Sequence, residues 1–298
     1  MGVYMRLKYF IIENYKNIDY LEVNFKNGNV LPIIGGIGSG KTAVVEALST
    51  MVDLISMKEI IKDGEDYTHM GNRTISITLG DVANELSYQV MFSNGKIKQE
   101  YYIFNGKTVI SSGESDTVHP FESLFWDPPK PGKSSVFNKY IYHSKLAENL
   151  HYNEFVDFFL NTKIITPEKF YKGEFKIGKY DLNSSIRLTQ NEYLAIYKLC
   201  KSAHKDLVLD KFIDNGDTDN FCRLTFKGRR INSFSVNVRV LLYSLIVMKL
   251  STLLIFDDVN QEVLKIVNKY NTEDKQIIFT DYEPIIHLNS IQLSDSFI

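Results

Sequence analysis

Residues 35–42, Gly-Gly-Ile-Gly-Ser-Gly-Lys-Thr, constrain this chain more than any other segment. They fit the pattern G-x-x-x-x-G-K-[ST], with Gly35, Gly40, Lys41 and Thr42 at the fixed positions. Before them, Val30-Leu31-Pro32-Ile33-Ile34 reads as a buried strand; after them, Ala43-Val44-Val45-Glu46-Ala47-Leu48 reads as the opening of a helix. Strand, glycine-rich loop and helix in that order form a phosphate cradle. Glycines let successive backbone N–H groups turn inward, and the helix N-terminus adds partial positive charge. Gly35, Gly36, Ile37, Gly38, Ser39, Gly40, Lys41, Thr42 and Ala43 are therefore the candidate nucleotide-binding segment. In it Lys41 is expected to reach the β- and γ-phosphates and Thr42 to ligate Mg²⁺ through its hydroxyl.

A phosphate loop needs an acidic partner at the end of a neighbouring strand. Ser251-Thr-Leu-Leu-Ile-Phe-Asp-Asp258 supplies one: four apolar residues followed by acid, the Walker B pattern. Asp257 is expected to hold Mg²⁺, with Asp258 placed to activate the attacking water. The simpler reading is a strand end capped by two exposed acids. The long separation from Lys41 to Asp257 exceeds what a nucleotide kinase or small GTPase uses, and points to a site closed over an inserted block.

Composition narrows the class. The chain has 298 residues, is 44% hydrophobic and 13% aromatic, and so can bury a substantial core. Its net charge of −2 excludes a bulk positive field that would pull it onto nucleic acid. A loose basic stretch, Lys130, Lys133, Lys139 and Lys145 near Trp126, Phe137 and Tyr140, leaves a local single-strand contact open, with a solvated face as the plainer reading. The 2 cysteines, Cys200 and Cys222, are too few for a disulfide framework or a zinc site. No apolar run reaches membrane-spanning length, because Arg239, Ser244, Lys249 and Ser251 interrupt Val238–Leu254. No signal-peptide pattern opens the sequence, and a cytoplasmic location without membrane partners is expected.

Coarse periodicity orders the rest. Residues 6–13 and 20–25 read as two strands around the turn Asn14-Tyr15-Lys16-Asn17. The helix after the phosphate loop is expected to run to about Met57. Residues 72–110 read as an antiparallel meander with hairpin turns at Asn94-Gly95 and Asn105-Gly106. Residues 111–135, rich in Ser, Gly and Pro, read as an irregular loop. Residues 136–161, Asn191–Lys205 and Ser233–Lys249 read as helices. Phe221–Phe226, Leu253–Phe256 and Gln276–Thr280 read as strands. The expected layout is a single unit over 1–298. Within it, 1–60 and 220–298 form the nucleotide-binding core, 72–110 an antiparallel subdomain and 136–215 a helical lobe.

With these pieces placed, the chain resembles the RecF/SMC-like branch of ABC-type ATPases, including the OLD-like ATPases of bacterial defence systems. The opening carries the resemblance: a strand, the turn Asn14-Tyr15-Lys16-Asn17, a second strand, then the phosphate loop. The meander with Asn105-Gly106-Lys107 and the stretches 144–148 and 164–167 are similar to parts that follow in that family. The resemblance implies an α/β P-loop NTPase of the ABC-ATPase head type, with a mixed sheet, an antiparallel meander and an inserted helical lobe. It implies ATP with Mg²⁺ as cofactors, with Lys16 among the residues that bind nucleotide, and heads that dimerise around ATP.

It also implies a signature loop at the start of a helix. Phe234-Ser235-Val236-Asn237-Val238-Arg239 is the matching place, with Ser235 for the signature serine and Val236 and Asn237 where glycines are expected; Ser233 or Ser235 as a plain helix cap fits equally. Asp258 stands where the family has a longer glutamate, and Tyr282 stands where it has a switch histidine. A tyrosine can bond a phosphate, but its high pKa makes it a poor proton shuttle.

Three functions follow as expectations. One is a slowly hydrolysing switch ATPase that associates head-to-head on ATP and controls a separate effector, such as a nuclease or toxin in antiviral defence. Another is a hydrolysis-deficient scaffold that holds a partner while ATP-bound. The third, a small-molecule phosphotransferase, would need lid arginines, for which Arg229-Arg230 is the one Arg pair.

Overall fold

The computed structural model describes residues 5–25, 29–55, 73–80, 84–93, 96–113, 151–212, 220–271, 275–281 and 291–292. In chain order its elements are strands β1 (Arg6–Tyr15), β2 (Ile18–Asn24) and β3 (Val30–Ile34), then helix α1 (Lys41–Ile55). Strands β4 (Arg73–Gly80), β5 (Glu85–Ser93), β6 (Lys96–Phe104) and β7 (Lys107–Gly113) follow, then α2 (Tyr152–Leu160) and β8 (Thr162–Ile165). Next come α3 (Pro167–Tyr171), β9 (Lys176–Ile177), β10 (Tyr180–Asp181), β11 (Ile186–Leu188), α4 (Gln190–Ala203) and β12 (Leu207–Phe212). The last group is β13 (Asn220–Phe226), β14 (Arg229–Arg230), α5 (Val236–Val247), β15 (Leu253–Phe256), α6 (Gln261–Lys269), β16 (Gln276–Asp281) and β17 (Ile291–Gln292). Two compact units result: Met1–Thr162 with Gln276–Ile298, and Lys163–Lys275.

The first unit carries a six-stranded antiparallel sheet in the order β2-β1-β4-β5-β6-β7. The expected antiparallel meander is present, with β4, β5, β6 and β7 paired in turn, Ile77 opposite Tyr88 and Tyr88 opposite Tyr102. At Asn105-Gly106 both residues have positive φ, 49° and 74°, as a type I′ hairpin turn requires. Asn94-Gly95 lies outside the described residues, but Ser93 and Lys96 are paired across it. Strand β7 runs on to Gly113, opposite Gln99, so pairing extends into a stretch that composition reads as loop. The rest of that loop, and residues 136–150, lie outside the described residues.

One face of this sheet is closed by α2. Tyr152, Phe155 and Phe159 are fully buried, and Tyr102 meets Tyr152 and Phe155 edge-on at centroid distances of 5.0 and 5.8 Å. Each such ring contributes about 2 kcal/mol through burial. Among them lies Glu100, 0% exposed, whose carboxylate accepts the Tyr88 hydroxyl at 2.5 Å. Burial, and then Glu100 and Tyr102 nearby, push the Tyr152 phenol well above its ordinary pKa.

The same unit holds β3 between β16 and β17, both parallel to it. Gln276 joins the two sheets. Its side-chain oxygen accepts the Leu7 N–H at 2.7 Å and its amide donates to the Leu7 carbonyl at 2.9 Å, so it acts as a stand-in strand beside β1. The register of β1 against β4 shifts between Leu7 and Tyr9, next to this contact. Gln276 is 2% exposed. Gln276→Leu would leave both Leu7 backbone groups without these bonds and is expected to cost about 2–3 kcal/mol, read as a lower urea midpoint with unchanged slope. A midpoint equal to wild type would show that water replaces the amide.

In the second unit β11, β13 and β12 form an antiparallel sheet with α4 packed on it and β14 paired to β13. α4 begins with a full capping box, Thr189 with Glu192. Bonds from Tyr180 and from Thr189 hold the Glu192 carboxyl at about 2. The stretch read as a helical lobe therefore contains β8–β12 as well as α2–α4. Leu207 and Leu209 are buried while Val208 and Asp210 between them are half-buried, a two-residue period that places β12 in the sheet. Phe170, Phe175 and Tyr243 pack edge-on where α3 meets α5.

The two serine interruptions of Val238–Leu254 are absorbed locally: Ser244 donates to the Val240 carbonyl and Ser251 to that of Val247, each at 2.7 Å. Among the described residues no helix is long and apolar enough to cross a membrane. Cys200 and Cys222 are buried thiols outside any disulfide, and burial pushes the Cys200 thiol up to about 12.

Candidate nucleotide site

The predicted strand, loop and helix are present in the first unit. β3 ends at Ile34, the loop spans Gly35–Gly40, and α1 opens at Lys41. Gly35 donates its N–H to the Asp281 carbonyl at 3.3 Å, which fixes the loop's start against the end of β16. Val44 N–H to Gly40 carbonyl, at 3.0 Å, begins the helix. Gly38 and Gly40 have φ of 82° and 96°, in the region that disfavours side chains. At Gly40 a Cβ would also stand 3.2 Å from both Asn17 Oδ1 and Ile18 Cγ1. Chain conformation thus favours glycine there, and a side chain would also crowd Asn17 and Ile18.

Lys41 is 9% exposed, and its ammonium donates to the Gly35 carbonyl at 2.5 Å and the Gly36 carbonyl at 2.6 Å. The loop's own carbonyls therefore hold the charge at the cradle. The buried Ser39 hydroxyl oxygen has no hydrogen-bond partner among the described residues. Thr42 is exposed at the head of the helix, Ile37 is 95% exposed at the loop tip, and Ala43 is buried on the packed face of α1. A positive side chain, a hydroxyl without a partner and a glycine-walled cradle at a helix start suit a polyphosphate. Nothing among the described residues groups three His, Cys, Asp or Glu as a metal cage. Mg²⁺ needs no such cage, since it is commonly held by one or two protein groups, water and substrate phosphates.

Two neighbours of the loop escaped sequence reading. Asn17, in the β1–β2 turn, donates from Nδ2 to the Gly38 carbonyl at 2.7 Å. Asp281 is the last residue of β16, 9% exposed, with its carbonyl on Gly35. The only signal for Asn17 is its place in the Asn-Tyr-Lys-Asn turn. Lys16, the expected nucleotide contact, pairs through its ammonium with the Glu46 carboxylate of α1 and has φ 54°. Tyr282 lies outside the described residues.

The second unit presents the acids. β15 is buried throughout, and Asp257 follows it at 8% exposure, its N–H bonded to the Ile165 carbonyl at 3.1 Å. Asp258 is exposed and has φ 56°. A non-glycine residue in the left-handed region costs free energy, and such residues gather at functional sites. Asn260 caps α6 just beyond, accepting from the Glu262 N–H at 2.8 Å. Ser235 occupies the N-cap position of α5, yet its side chain makes no cap bond. Ser233 instead donates to the Arg230 carbonyl at 2.6 Å. The capping explanation for Ser235 thus loses its bond.

Sheets, helices and phosphate loop together define a P-loop NTPase fold of the ABC-ATPase head type. No protein-family model and no curated protein matches the chain. Among solved structures, the chain is similar to an SMC head bound to the C-winged helix domain of ScpA. The TM-score is 0.52 at 12% identity, covering 93% of this chain and 90% of that one. It is also similar to the recombination mediator protein RecF-ATPrS of the RecFOR pathway, with TM-score 0.50 at 15% identity over 98% of this chain and 97% of that one. At these identities the likeness establishes the shared fold.

Proposed function

We propose that the chain is an ATP-binding switch ATPase whose heads associate on ATP and separate after slow hydrolysis. The observation that carries this reading is the Gly35–Lys41 cradle, with its left-handed glycines and its lysine held on the loop. Bound ATP with Mg²⁺ supplies the phosphoanhydride and the metal charge that offsets it. This chain's part is to bind and orient. The loop amides and Lys41 take the phosphates, Thr42 and Asp257 take the metal, and Asp258 accepts a proton from water. Ser235 contributes a hydroxyl toward the nucleotide of a second copy. A separate effector would read the associated state; a nuclease or toxin in antiviral defence rests on the sequence resemblance of the opening strands, turn and phosphate loop alone.

The scaffold reading keeps one specific support. Val236 and Asn237 open α5 where glycines would let backbone approach phosphate. Light scattering of the full chain with and without ATP and Mg²⁺, alongside phosphate release, separates the two. The switch reading expects a mass increase on ATP that decays as phosphate appears. A mass unchanged by ATP would sink it, and a lasting increase with no phosphate release would favour the scaffold.

A further inference from the structure

We infer that Asn17 is a positioning residue for the phosphate loop, holding the Gly38 carbonyl away from the cradle so that the loop's amides face the phosphates; this rests on the proposed ATP site. Three observations converge on the β1–β2 turn. Asn17 Nδ2 donates to the Gly38 carbonyl at 2.7 Å, at a glycine whose φ of 82° lies in the left-handed region and whose missing Cβ leaves other conformations open to the chain. The same side chain's Oδ1 lies 3.2 Å from where a Gly40 Cβ would stand, so only a glycine at 40 lets the amide sit this close to the loop. The turn itself is fastened to α1 independently of the loop: Lys16 pairs with Glu46, and the Tyr15 hydroxyl meets the Thr50 hydroxyl at 3.4 Å.

A glycine-rich loop is entropically loose, and a rotated peptide would present a carbonyl, not an amide, to an anion. A donor fixed on a rigid hairpin removes that alternative. Asn17 supplies the donor because it is fixed between Lys16 and Ile18, where Ile18 pairs with Tyr15 across the hairpin.

The test is ATP affinity of the full chain for Asn17→Ala and Asn17→Asp, with Tyr15→Phe as a variant that loosens the same turn without touching the loop. Thermal midpoints are read with and without ATP and Mg²⁺. Asn17→Ala is expected to raise the Kd about fivefold to tenfold. Asn17→Asp, isosteric but without the donor, should raise it further, and Tyr15→Phe should leave it within twofold. The nucleotide-free midpoints of all three should stay together while the ATP-induced shift shrinks only for the Asn17 variants. If Asn17→Ala fails to fold, the isosteric Asn17→Asp decides. Wild-type affinity in the Asn17 variants, or equal losses in Tyr15→Phe, overturns the inference and leaves the ATP site standing. No ATP binding by wild type removes the site and the inference together.

Discussion

Lys41→Met should raise the ATP dissociation constant about 100-fold and abolish ATP-dependent association. The substitution keeps the aliphatic stem and deletes the ammonium that now sits 2.5 and 2.6 Å from the Gly35 and Gly36 carbonyls. Those contacts place the charge where the loop folds back on itself, and charge-assisted bonds of this kind contribute about 1.5–3 kcal/mol each. Losing about 3 kcal/mol of phosphate contact corresponds to the predicted factor. Titration with a fluorescent ATP analogue reads it, and a change below tenfold with association intact would falsify the assignment of Lys41. The nucleotide-free variant should remain folded, since Val44, Val45, Ala47 and Leu48 on the buried face of α1 are untouched.

Asp258→Asn should lower ATP turnover at least 100-fold and change ATP affinity by less than about threefold. A positioned general base contributes roughly 10²–10⁴ in rate, and asparagine removes the basic oxygen while keeping the size. The backbone makes this a clean substitution. Asp258 has φ 56°, and asparagine is among the few side chains at ease there. Equal, slow turnover in wild type and variant would discard the role of Asp258 and leave the nucleotide-dependent scaffold as the better account. A variant that stays associated on ATP without turnover would show that hydrolysis, not nucleotide loss, separates the heads.

What the sequence made legible is what local pattern encodes. The phosphate loop declared itself through fixed spacing, and its strand and helix through apolar runs on either side. The meander was readable because two-residue alternation and Asn-Gly turns are properties of neighbouring residues. The strands β8–β12 were not, because runs such as Thr162–Ile165 and Lys176–Ile177 are too short for a period to develop. Contacts set by the tertiary fold were also invisible. Leu7 and Gln276 are 269 positions apart, and nothing near either announces the other. Asn17 looked like one more turn residue, while its neighbour Lys16, the residue expected to meet nucleotide, turns to Glu46. Ser235 fits a cap or a signature serine equally in the sequence, and only the tertiary fold shows that its side chain makes no cap bond.

The Gln276–Leu7 pair closes a circuit. From the phosphate loop one arm runs through Asn17 and along β1 to Leu7; the other runs through the Gly35–Asp281 bond and back along β16 to Gln276. The loop is therefore one segment of a ring, not a free end between a strand and a helix. A ring cannot fray at one point, so opening the loop widely requires giving up one arm's hydrogen bonds or the two-bond clasp itself. A pull applied at any link is shared by the others, and the rigidity of a glycine-rich loop is thereby borrowed from strands that never touch a nucleotide.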